Sequence, residues 1–84
     1  MFDYLFTFRS LTAAQRARSV LSEGGIRAPI VRTAKRMSAN GCGYGIRVGP
    51  RDGIRALHLL RAGAAQYAHL YRVFQNGSME EVRV

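Results

Sequence analysis

Phe2, Tyr4, Phe6 and Phe8 stand at every second position of the opening stretch. That alternation has the period of a β-strand, whose successive side chains point to opposite faces. It predicts a strand with four aromatic rings on one face, and a chain that must cover that face. The next segment changes period. Ala13, Ala17, Val20 and Leu21 recur at helical spacing and leave Gln15, Arg16, Arg18 and Glu23 for solvent. Thr12 followed by Gln15 fits a capping box, with Ser10 as the other available cap. Gly24-Gly25 then predicts the helix end, since glycine tolerates the left-handed conformation of a C-cap.

The pattern then repeats. Ile26 to Thr33 reads as a second strand, placed at a sheet edge because Pro29 has no backbone donor. A polar, basic connection runs over 34–41. Gly43 to Val48 reads as a third strand, with Tyr44, Ile46 and Val48 on one face. Pro50 suits the first turn of a second helix, and Asp52 is an early-helix carboxylate that favours the macrodipole. Ile54, Leu57 and Leu60 supply the buried stripe of this helix, helped by Ala56 and Ala64. Gly63 to Gln66 breaks it, and Tyr67 to Phe74 is the last strand. Two β-α-β halves predict an α+β chain of the ferredoxin-like β-α-β-β-α-β type. The expected strand order is 4-1-3-2, all antiparallel, with two helices on one face and the other face free to bind. Residues 1–75 form this single domain, and 76–84 form a C-terminal tail or a short added strand over Glu81 to Val84.

A chain of 84 residues buries only about 60% of its unfolded surface, so one thin core leaves little room for an enclosed active site. No apolar run approaches the ~20 residues that span a bilayer, and the opening stretch lacks the basic region of a signal peptide. A cytoplasmic, soluble protein is the expectation. The single cysteine, Cys42, cannot form an internal disulfide, in keeping with a reducing compartment. Thirteen basic residues against five acidic ones give a net charge of +8. Lys35 is the only lysine and the rest are arginines. Such a surface attracts anions, whether nucleic acid, acidic proteins or small oxyanions; an arginine-rich composition that only aids solubility is the plainer reading.

Asn40-Gly41-Cys42-Gly43 is the most specific local feature. Gly41 and Gly43 strip steric cover from the thiol and free the backbone. The expected topology puts the connection before strand three at the end where the first helix starts, so Cys42 falls near Ser10, Leu11 and Thr12. Ser10 and the N–H groups of that helix would stabilise an anion there. Arg9, Lys35 and Arg36 belong to the same end and would attract an anionic or acidic partner. Together these groups would lower the thiol pKa and favour the nucleophilic thiolate. Against this stands the reading of Cys42 as a small buried hydrophobe at a strand start.

The run Phe6-Thr7-Phe8-x-Ser10, the small Ala14, Gly25-Ile26, the basic connection ending in Cys42-Gly43, and Gly45-Ile46-Arg47-Val48 resemble the Se/S carrier protein-like family of small bacterial proteins. The resemblance covers Tyr4 to Phe74, and the Cys-Gly pair entering a strand is its most telling element. Where members often carry a proline in the connection, this chain has Thr33-Ala34-Lys35. The resemblance implies that Cys42 is a carrier cysteine. It would take sulfur or selenium from a donor such as a cysteine desulfurase and hold it as a persulfide or selenopersulfide, with no tightly held cofactor. Such a protein is a carrier rather than a stand-alone enzyme.

A second class of function comes from the same segment. Gly43-Tyr44-Gly45 overlaps the start of the RNP1 pattern, in which strand-three aromatics stack on RNA bases. The match then fails at Cys42, Ile46 and Gly49. A basic binding module for RNA or an acidic protein is therefore the alternative, and a homo-oligomer using an edge strand is a third. His58 and His69 have no ligand partners near them in sequence, so a metal site is not expected and both read as solvated surface side chains. No nucleophile elbow or phosphate-loop glycine pattern occurs.

Overall fold

The computed structural model describes residues 1–33 and 43–83. In chain order these form β1 (Phe2–Phe8), α1 (Leu11–Glu23), β2 (Ile30–Arg32), β3 (Tyr44–Val48), α2 (Gly53–Ala62), β4 (His69–Phe74) and β5 (Met79–Glu81). All strand pairs are antiparallel, in the order β2-β3-β1-β4-β5. The first four strands follow the ferredoxin-like order, and β5 adds to the outer edge of β4. β2 is an edge strand, but it begins at Ile30, after Pro29 instead of running through it. The added strand starts at Met79, two residues before the position expected.

The aromatic alternation sets the core. Phe6 and Phe8 are buried on the face that both helices cover, beside Ala14, Ala17, Leu21, Ala56, Leu57 and Leu60. Phe6 meets the ring of Tyr67 edge-on, with centroids 5.3 Å apart. Ile46 and Val48 of β3 and Leu70 of β4 join the same cluster. The opposite face is not bare. Leu5 and Val73, each 8% exposed, form a second small cluster with Tyr71 and Met79. Thr7 is fully buried there and donates through Oγ1 to the His69 carbonyl at 3.4 Å. Side chains from three neighbouring strands, β1, β4 and β5, thus shield a face that sequence patterning leaves free.

α2 differs from its expected pattern in two linked ways. It begins at Gly53, three residues after Pro50, which lies in the preceding turn. A Cβ on Gly53 would come within 2.0 Å of the Tyr4 ring, so the helix can start there only with glycine. The buried stripe is Gly53, Ala56, Leu57 and Leu60. Ile54 falls outside it and is 57% exposed. Asp52 occupies the N-cap, but its side chain makes no capping bond.

Both helices end in the same way. After α1, the Ile26 N–H bonds the Leu21 carbonyl at 2.8 Å and the Gly25 N–H bonds that of Ser22 at 3.0 Å. After α2, Ala65 bonds Leu60 at 2.9 Å and Ala64 bonds Arg61 at 3.2 Å. These are two Schellman motifs, each closed by an apolar pair within the core. The left-handed position is Gly25 (φ 89°) in the first and Ala64 (φ 53°) in the second. A Cβ at that conformation costs roughly 1–2 kcal/mol. Ala64→Gly is therefore expected to stabilise the protein by about 1 kcal/mol, read as a higher denaturant midpoint at unchanged slope. An unchanged or lower midpoint would mean that Ala64 carries no strain.

The helices also complete each other's ends. Arg16 of α1 donates to the Gly63 carbonyl at 3.1 Å, and Arg55 of α2 donates to the Gly24 carbonyl. A cation at a helix C-terminus complements the macrodipole. The packing is crossed as well. A Cβ on Gly24 would strike Leu59, and one on Gly63 would strike Val20. Each C-cap glycine is thus the seat of an apolar side chain from the other helix.

Candidate functional site

The site suggested by the sequence lies where β1 passes into α1. Ser10 is the N-cap, in extended conformation, and its Oγ accepts from the Ala13 N–H at 3.1 Å. The Ser10 carbonyl accepts the Ala14 N–H at 3.1 Å. Ser10 therefore caps, not Thr12, which is the second helical residue. The N–H groups of Leu11 and Thr12 have no intrahelical acceptor, as at any helix start. Arg9, Ser10, Leu11 and Thr12 are all exposed, Leu11 at 44%. This turn presents two backbone donors and a guanidinium to solvent.

β3 enters at the same end. Phe8 pairs with Tyr44, so Gly43 continues the register toward Arg9. The Gly43 carbonyl accepts the Thr33 N–H at 3.2 Å, which extends the β2–β3 ladder to the last residue before the connection. Among the described residues a Cβ on Gly43 would meet nothing within 4 Å. Cys42, Gly41, Lys35 and Arg36 lie outside the described residues. Of the site residues expected from sequence, Ser10, Arg9 and Gly43 are thus at one end of the sheet.

Tyr44 does not stand where base stacking needs it. It shares the helix-covered face with Ile46 and packs against the main cluster, and the Arg32 guanidinium lies 5.1 Å over its ring. On the opposite face β3 presents Gly45 and Arg47. Gly45 is a close approach, since a Cβ there would come within 2.9 Å of Leu5 and 3.2 Å of Thr33.

The sheet neutralises its own acids. Asp3 pairs with Arg47 at 2.8 Å, Glu80 with Arg72 at 2.6 Å and Glu81 with His69 at 3.0 Å. His69 is thus a partnered side chain rather than a solvated one. No sequence signal marks this pair, because the partner sits on β5. The hydrogen bond to Glu80 holds the Arg72 guanidinium above its ordinary pKa, with Tyr4 adding to it and burial opposing. Exposed pairs of this kind are screened by solvent and contribute little to stability. Among the described residues no group of three or more His, Cys, Asp or Glu could hold a metal ion. No described helix is long and apolar enough to cross a membrane.

Fold and site describe a small α+β protein in which α1 starts at the end of the sheet where β3 begins. The family described as "Putative Se/S carrier protein-like" matches residues 3–72. The chain belongs to that family. No curated protein and no solved structure matches it.

Proposed function

We propose that the protein carries sulfur or selenium on Cys42. The observation that carries this reading is family membership over residues 3–72, a span that includes Cys42. The geometry nearby supports it. Gly43, one residue on from Cys42 in sequence, enters β3 at the end where the Leu11 and Thr12 N–H groups have no intrahelical acceptor and Arg9 is exposed. Ser10 acts through the backbone: its Oγ is taken by Ala13, which fixes the turn and leaves those two donors for an anion.

The Cys42 thiolate attacks the outer sulfur of a persulfide on a donor enzyme such as a cysteine desulfurase. One S–S bond forms on Cys42 and one breaks on the donor, whose own cysteine leaves as a thiolate. The transferred sulfur keeps its oxidation level, so no external oxidant or reductant enters. An acceptor nucleophile then attacks the terminal sulfur, and Cys42 leaves as thiolate. A selenopersulfide follows the same balance. Arg9, Lys35 and Arg36 attract an acidic donor surface. The carrier works in the cytoplasm, where a thiol stays reduced between loads.

Intact-mass measurement after incubation with a cysteine desulfurase and cysteine tests the reading. The expected result is a gain of one sulfur atom, removed by a reductant and localised to Cys42 by peptide mapping. No gain under conditions in which the desulfurase itself is loaded would overturn it.

A further inference from the structure

Toward the other end of α1 a cleft of about 440 Å3 is lined by Arg18, Ser22, Arg27, Ala28 and Pro29. Arg18 and Ser22 stand four residues apart and share one face of α1. Arg27 follows the Schellman turn that closes the helix. Three hydrogen-bonding side chains from two segments thus line one space, and no carboxylate lines it. Among the described residues neither guanidinium nor the Ser22 hydroxyl has a hydrogen-bond or ion-pair partner. Three acids are paired on the sheet, as above. Glu23, next to Ser22, is exposed and forms no ion pair among the described residues.

The negative end of α1 would ordinarily oppose an anion here. That end is already answered. The Gly24, Gly25 and Ile26 N–H groups take the Val20, Leu21 and Ser22 carbonyls, and Arg55 takes the Gly24 carbonyl. The charge left over in the cleft is that of Arg18 and Arg27. Two guanidiniums around one space repel each other unless an anion joins them, and their planar forks match the oxygens of a tetrahedral oxyanion.

We propose that this cleft binds the phosphate group of a small molecule, held by Arg18 and Arg27 with the Ser22 hydroxyl donating to a third oxygen. The volume is within the ~300–1,000 Å3 typical of ligand pockets and exceeds what a bare phosphate fills. Ala28 and Pro29 wall the remainder, where an attached group would lie. Ser22 is twelve residues beyond Ser10, about 18 Å along the helix axis. The cleft is therefore separate from the Ser10 end of α1, and its occupancy does not depend on sulfur transfer.

Amide-resolved NMR titration with inorganic phosphate and with glycerol 3-phosphate, at constant low ionic strength, tests this. Saturable shifts centred on residues 18, 22 and 27 are expected. Arg18→Gln and Arg27→Gln should each weaken binding about tenfold or more, the loss of one charge-assisted contact. Arg61→Gln, at an exposed arginine outside the cleft, should leave it unchanged. Tighter binding of glycerol 3-phosphate would assign the site to a phosphate monoester; equal binding would assign it to the phosphate group alone. Shifts that never saturate, that spread over all the arginines, or that survive in the Arg18→Gln and Arg27→Gln proteins would overturn the proposal.

Discussion

Phe6→Ala should cost the protein about 3–5 kcal/mol of stability. The ring has no exposed surface, and β1 lies between β3 and β4, so no outer element can fold in to fill the space. Truncation removes the transfer energy of the ring, leaves a cavity and strips Tyr67 of its edge-on partner. A domain of this length has only a few kcal/mol to lose. The expected readout is a large fall in the urea midpoint or loss of the cooperative transition. Should the alanine protein fail to express, Phe6→Leu reports on the same site, with a smaller loss and folding retained. A loss below about 1 kcal/mol for Phe6→Ala would contradict the packing described.

Cys42→Ser should abolish sulfur uptake and delivery. The change is nearly isosteric, but a hydroxyl does not form the S–S bond that holds the cargo, and the chain has no second thiol to substitute. The measurement is transfer of labelled sulfur from a loaded desulfurase to an acceptor, with the carrier required for turnover. Arg61→Gln serves as comparison, because it lowers net charge without touching the thiol segment; it should slow encounter only modestly, and more so at low salt. Circular dichroism separates loss of transfer from loss of fold. A serine protein that supports full delivery would end the carrier reading.

Much of this architecture was legible in the sequence because it rests on periodicity. The alternation from Phe2 to Phe8 and the two helical stripes identify the layers, and the β-α-β repeat implies the strand order. What escaped depends on side chains far apart in sequence. Ser10 and Thr12 are both competent caps, and the structure starts the helix at Leu11 with Ser10 as its cap. Ile54 fits an apolar stripe in sequence, but the packed face of α2 runs through Gly53, Ala56, Leu57 and Leu60, with Gly53 against the Tyr4 ring, and Ile54 lies outside it. His69 looks solitary because Glu81 reaches it only through the pairing of β5 with β4. At the candidate site, Ser10, Arg9 and Gly43 follow from topology, since strands one and three are neighbours. The Arg18–Arg27 cleft had no motif to mark it: one arginine is helical, the other follows a turn, and only the Schellman geometry brings them to one space.

The crossed helix ends have a consequence for how the molecule comes apart. Arg16 and Val20 complete the end of α2, while Arg55 and Leu59 complete the end of α1. Fraying of either helix from its C-terminus therefore uncovers polar carbonyls and an apolar socket on the other. Partial opening of one half is penalised twice, so the two β-α-β units should open as a single unit. In hydrogen exchange, amides in the last turns of α1 and α2, which would ordinarily exchange early, should share one opening free energy close to that of global unfolding.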